Sequence, residues 1–229
     1  MKDQRLLIYE GIREKVYQLL AGYYLMPDAD IFENLTDMQN ALSNICPDAV
    51  EFVDAMRKEI PIDTLELDYT KIFLGPFKVP APPYGSIYLD NTRTVMGPSS
   101  IDVRNRYQEF GLDLSQSFKD APDHISAELE FIYFLIFLEI KALKEPNYEN
   151  SLSFLEAQQS FLQEHLGIWV TEFAAKVIEN ASTDFYKNLA NLTKTFVIND
   201  LKNISEVSIA ALNTIGKVAY LELISENEE

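Results

Sequence analysis

The sequence predicts an all-α protein, a single helical domain of roughly eight to ten helices with a long proline-rich loop between two of them. Apolar residues recur at steps of three and four along almost the whole chain. Four of the ten prolines, Pro76, Pro80, Pro82 and Pro83, crowd into Gly75–Gly97, where their fixed φ and missing N–H rule out a helix. No sustained alternation of apolar and polar residues marks a strand; within the loop, Ser86–Leu89 is expected to pair briefly with Arg93–Met96.

Residues 5–25 form the first expected helix, with Ile8, Ile12, Val16, Leu19, Leu20 and Tyr23 on one face and Pro27 as its stop. Residues 31–45 repeat the pattern. Pro47 suits a first helical turn, and Val50, Val53 and Met56 carry a third helix towards Pro61. Residues 63–74 place Leu65, Tyr69 and Phe73 on one side, and Gly75-Pro76 closes that helix. Gly75–Gly97 also holds Phe77, Tyr84, Ile87, Tyr88, Leu89, Val95 and Met96, too many large side chains for an idle linker, so it is expected to lie over the core. A helix opened by Ser99 or Ser100 ends near Gly111. Asp120–His124 starts the most apolar helix, which Pro146 closes; few charges interrupt its other faces, which predicts a central and largely surrounded position. Residues 151–165, 167–180 and 183–202 supply three more helices. The domain is expected to span 1–205, with 206–229 as an extension of weak helix and acidic tail.

Composition narrows the function classes. With 36 acidic and 19 basic residues the net charge is −17, which disfavours nucleic acid and favours cationic partners. One cysteine, Cys46, and two histidines exclude an internal disulfide and disfavour a metal cluster. The N-terminal stretch mixes charges into its apolar residues and reads as neither signal peptide nor membrane span, so a cytoplasmic protein without stable membrane insertion is expected. No phosphate-binding glycine loop and no HExxH motif is present, and neither a cofactor nor an enzymatic activity is expected.

Two groups of residues could carry recognition. Asp123-His124 is either a proton-transfer pair or part of a helix start, with Asp120 as cap, Pro122 in the first turn and Asp123 favouring the dipole. The loop aromatics could floor a groove for an apolar peptide, with nearby carboxylates pairing its arginines in two-point geometry. His165 and Trp169 are expected to pack between helices, and Tyr69 and Phe73 are most simply core residues.

Tyr69-Thr-Lys-Ile-Phe73-Leu-Gly75-Pro76, Pro80-Ala-Pro-Pro-Tyr-Gly-Ser86, Val95-Met-Gly97 and Ala121-Pro-Asp-His124 with Glu128-Leu129 occur in that order, followed by His165-Leu166 with Trp169 and by Phe185-Tyr186 with Leu189-Ala190. Together they resemble the motifs of the TorD/DmsD family of redox-enzyme maturation chaperones, related to NarJ, over roughly residues 65–200. The resemblance implies an all-helical chaperone in the cytoplasm. Its partners would be the twin-arginine signal peptide and the apo form of a molybdenum-cofactor oxidoreductase; a homodimer is compatible with it. It implies a peptide site involving Tyr84, Asp123 and His124, with Tyr69, Phe73, Gly85, Ser86 and Tyr88 in or beside matching motifs. Tyr84 stands where relatives often carry Trp. Two alternatives are a NarJ-like assembly factor for a respiratory subunit and a nucleotide-binding switch at Asp123-His124. On this reading His124 orients Asp123 or tunes binding by titrating near neutrality, and Asp123→Ala lowers peptide affinity with melting nearly unchanged.

Overall fold

The computed structural model describes residues 2–226 apart from 59, 76–77, 92–93, 116–117 and 146, and side chains within 5–205 of these, apart from 29 and 148. The all-α expectation is borne out. Ten α-helices follow one another among the described residues: α1 (Lys2–Tyr23), α2 (Leu35–Ile45), α3 (Val50–Met56), α4 (Ile62–Tyr69), α5 (Ser86–Leu89), α6 (Pro98–Glu109), α7 (Ile125–Lys144), α8 (Tyr148–Glu164), α9 (Leu166–Asn180) and α10 (Asp184–Glu226). They form a single helical domain. α1 lies along α7, and α7 packs on α8; α10 joins α9, α3 and α8. Burial explains the order: Trp169, Phe161, Phe173, Phe185, Tyr186 and Phe196 of α8, α9 and α10 are fully enclosed, and large aromatics contribute most to such a core.

Four helices meet at one buried polar cluster. Arg13 of α1 donates through Nε to Asp200 Oδ1 at 2.7 Å and through Nη2 to Oδ2 at 2.9 Å. It also donates to Glu10, and at 3.0 Å to Gln158 of α8, whose amide donates to Glu139 of α7 at 2.7 Å. The Tyr17 hydroxyl donates to Asp200 at 2.8 Å. Burial, reinforced by Glu10, pushes the Glu139 carboxyl up to about 8, so it is uncharged at neutral pH. A second long-range tie starts α10: Asp68 of α4 accepts from the Ser182 N–H, the Thr183 N–H and the Thr183 hydroxyl, the last two at 2.8 and 2.7 Å. A carboxyl borrowed from another helix thereby satisfies donors at this helix N-terminus.

Several expectations change. Residues 31–45 split into a 3-10 turn (Ala29–Phe32) and α2. Ser86–Leu89 is a short helix instead of a strand; Arg93, its expected partner, lies outside the described residues, as do Pro76, Phe77 and Pro146. The most apolar helix begins at Ile125, not at Asp120, because residues 123–125 spend their backbone groups on the loop, as described below. α10 runs through position 205 without a break. α7 is also less enclosed than its composition predicts: Ile125, Leu129, Ile132, Leu135 and Ile136 are buried, but Phe137 is 45% exposed and Tyr133 and Phe134 are half-buried.

Asp200→Ala is expected to cost about 3–5 kcal/mol, because Arg13 keeps its buried charge and loses its two-point partner. Lys58→Ala, which removes the exposed Lys58–Asp184 pair, should cost less than about 1 kcal/mol. Urea unfolding of both variants checks the contrast.

Candidate functional site

The site begins where α4 ends. Thr70–Leu74 continues α4 as a π turn, closed by the Gly75 N–H donating to the Thr70 carbonyl at 2.7 Å. Gly75 has φ +51°, and a side chain there would put Cβ 2.6 Å from the Lys78 carbonyl oxygen; only glycine turns the chain here. The extra residue in the turn re-aims the chain, and Ala81 returns to donate its N–H to Ile72 O at 3.2 Å.

Pro83–Ser86 then pairs with Asp123–Ile125. The Ile125 N–H donates to Pro83 O at 2.8 Å and the Gly85 N–H to Asp123 O at 2.9 Å, making an isolated antiparallel bridge between Tyr84 and His124. Asp123, wholly buried, uses both carboxyl oxygens: the Ser86 N–H donates to Oδ2 at 2.7 Å and the Ser100 hydroxyl to Oδ1 at 2.6 Å. It therefore ties the loop and α6 to the start of α7. Asp120 caps no helix and instead accepts from the Tyr84 hydroxyl at 2.6 Å. The cap of α7 is His124, whose Nδ1 accepts the Ser126 N–H at 3.2 Å. Burial, opposed by Asp120 and Asp123, lowers His124 to about 4; it is neutral at pH 7, and the expectation that it titrates near neutrality is corrected.

Behind Gly85 lies a second acid. Glu128 is fully buried, accepts the Trp169 indole N–H at 3.0 Å and leaves Oε1 without a hydrogen-bond partner. Burial, reinforced by Asp123 and opposed by the Trp169 hydrogen bond, raises its carboxyl well above the usual range. A Cβ on Gly85 would sit 3.0 Å from both Glu128 Oε1 and Trp169 Nε1, so glycine admits this close approach. Tyr88 stacks on Trp169 at 5.4 Å and donates its hydroxyl to Pro82 O at 2.8 Å.

The structure thus brings Tyr84, Gly85, Ser86, Asp123 and His124 into one corner, with Tyr88 beside it. Tyr69 and Phe73 lie deeper, buried against Tyr24 and Tyr186; Phe73 meets Phe173, which meets Tyr88, and the Tyr69 hydroxyl lies near enough to Asp120 and Tyr84 to interact with them electrostatically. His165 and Trp169 pack between helices as expected; His165 contacts Asp102 at 2.7 Å.

Sequence reasoning missed what lies on the far side of His124. Phe118 meets the His124 ring edge-on at 5.8 Å. Beyond it a groove of about 520 Å³ opens between residues 112–115 and Phe118 on one side and Leu25 and the outer face of α7 on the other, lined by Leu112, Leu114, Phe118, Ala127, Phe131 and Phe134. Among its described lining residues only Asp113 and Glu130 are charged. A smaller depression of about 460 Å³ shares Leu25 and carries Asp28, Asp30 and Lys15. A larger hollow of about 780 Å³, at Phe32, Arg57 and Pro61, includes none of the motif residues. The unexplained apolar faces of α7 were the one signal in the sequence.

Residues 33–175 match the family model described as nitrate reductase delta subunit. The chain belongs to this family. The chaperone protein TorD of Aliivibrio salmonicida is 28% identical over 169 residues, 74% of this chain and 77% of that one. The perchlorate reductase assembly chaperone protein of Dechloromonas aromatica is 28% identical over 195 residues, 81% and 86% of the two chains. A solved structure named for a redox enzyme maturation protein of Archaeoglobus fulgidus shares the fold, with a TM-score of 0.53 and 24% identity over 80% of this chain and 93% of that one. The TorD/DmsD resemblance read from the motifs is borne out. Among the described residues no helix is long and apolar enough to cross a membrane, and no group of His, Cys, Asp and Glu could hold a metal.

Two outcomes follow from the corner. Asp123→Ala should melt well below the parent, contrary to the expectation from sequence, because the Ser86 N–H stays buried without a partner, at about 1–3 kcal/mol, and the Ser100 hydroxyl keeps only the weak acceptor Met96 Sδ at 3.8 Å. His124, with its folded value below its unfolded one, stabilises the fold above pH 6.5 and progressively less as pH falls towards 4. Between pH 7.5 and 5 the parent should lose about 2 kcal/mol that His124→Asn, a non-titrating cap, retains. Urea midpoints for both proteins across that range measure the difference.

Proposed function

We propose that this chain is a cytoplasmic chaperone for a molybdenum-cofactor oxidoreductase. It binds the enzyme's twin-arginine signal peptide, its apo form or both, assists cofactor insertion and prevents premature export. The observation that carries this reading is the convergence of Tyr84, Gly85, Ser86, Asp123 and His124 at one corner in a chain of this family. Relatives named as TorD and as a perchlorate reductase assembly chaperone support it, as does a net charge of −17, which attracts a dibasic peptide.

The corner acts by holding shape. In the conformation described, the Asp123 carboxyl is occupied by loop donors and Glu128 is enclosed. Arginines therefore meet exposed acids around the corner, Asp120 among them, while Tyr84 presents a half-buried aromatic face. The description of the matching family model favours one second reading, an assembly factor that binds the body of a respiratory subunit.

Titration calorimetry with a twin-arginine signal peptide of a molybdoenzyme, with its Arg-Arg→Lys-Lys variant and with the enzyme body lacking its signal separates the two. Micromolar or tighter binding to the parent peptide, weakened about tenfold or more in the variant and falling as salt rises, is expected. Binding to the body alone would replace the signal-receptor reading with the assembly-factor one.

A further inference from the structure

We infer that the groove between α7, residues 112–115 and Phe118 receives the apolar stretch of a cationic, helix-forming peptide, with its arginines held by Glu130, Asp113 and the neighbouring Asp28 and Asp30. The inference rests on the peptide-receptor reading and assigns it a surface outside the family motifs.

The first support is a surplus of apolar surface. α1, α8 and α9 cover part of α7, yet Phe134 is only half-buried and Phe137 is exposed on the side away from the buried Ile132 and Ile136. The floor residues Ala127, Phe131 and Phe134 are spaced by four and three, so they form one stripe along the helix. Leu25 and Met26, 46% and 51% exposed, extend it past the end of α1. A contiguous apolar surface of this kind on a chain rich in acids marks an interaction site, and a groove of about 520 Å³ is in the range that encloses part of a ligand.

The second support is charge. Asp113 and Glu130 rim the groove and are exposed. The adjoining depression sets exposed Asp28 and Asp30 against Lys15, which donates to Gln18. This rim repels the acidic residues 226–229 of the chain itself and a second copy carrying −17; it selects an apolar segment joined to arginines. A helix laid in a groove through residues spaced by three and four fits a stripe so spaced.

The third support is the way the groove is built. Its wall of residues 112–115 and Phe118 is anchored at the motif corner: Phe118 rests on His124, and Tyr107, whose carbonyl accepts the Leu112 N–H at 2.9 Å, donates its hydroxyl to Pro122 O at 2.9 Å. The buried corner thus shapes a surface that its own residues do not line, apart from that contact.

The test uses the full chain and the same signal peptide. Phe134→Gln and Glu130→Lys should each weaken binding about tenfold or more, with helicity by circular dichroism unchanged, while Ile168→Gln, at an exposed apolar residue of α9, binds as the parent does. Glu130→Lys should matter less for a peptide whose two arginines are glutamines. If the parent binds and both groove variants bind equally well, the groove assignment falls and the receptor reading stands. If the parent binds no signal peptide, both fall. If light scattering shows a parent dimer that Phe134→Gln dissociates with peptide affinity unchanged, the face is a self-interface and the assignment is overturned.

Discussion

The two-point pair between Arg13 and Asp200 sets the arrangement on which everything else depends. An arginine that far inside a protein is tolerated only when its donors are all met. Here the donors go to α1 itself, α8 and α10, and α7 joins through Gln158. The planar guanidinium accepts little variation in angle, so the four helices are held in register as well as in contact. With Glu139 uncharged, one cation does not face three full anions. The position of α7, and so of its outer face, follows from this cluster.

Asp123 is a second constraint of the same kind, one level up. Its partners Ser86 and Ser100 lie on either side of the stretch that includes the undescribed residues 92–93. One buried carboxyl thereby ties α5 to α6. The β-bridge beside it explains why the most apolar helix starts late: the backbone is extended at His124, and the Asp123 carbonyl and Ile125 N–H are committed to the loop. The binding surface inferred on α7 stands on this scaffold and is not made from it.

Most of the helical frame was legible because apolar spacing reports burial directly. Tyr69, Phe73, His165 and Trp169 proved to be the packed residues their spacing suggested. The loop was not legible in detail: Ser86–Leu89 has the apolar character of a strand, but Gly85 and Ser86 are bound to residues some forty positions away, and that distant pairing sets their conformation. The role of Asp123 was hidden for the same reason. α7 failed differently. Periodicity shows which side chains are apolar without showing what covers them, so the expectation of a largely surrounded helix did not anticipate a half-buried Phe134 and an exposed Phe137.

The setting of Trp169 has a spectroscopic consequence. It is the chain's only tryptophan, its indole N–H is bound to the Glu128 carboxyl, and its ring lies flat against Tyr88 of the loop. Indole emission from this protein therefore arises at a single place, the contact between the proline-rich segment and α9. Any event that lifts Tyr88 away admits water to one known ring and registers as a change in colour and intensity, with no label added and no other fluorophore of its kind to dilute the signal.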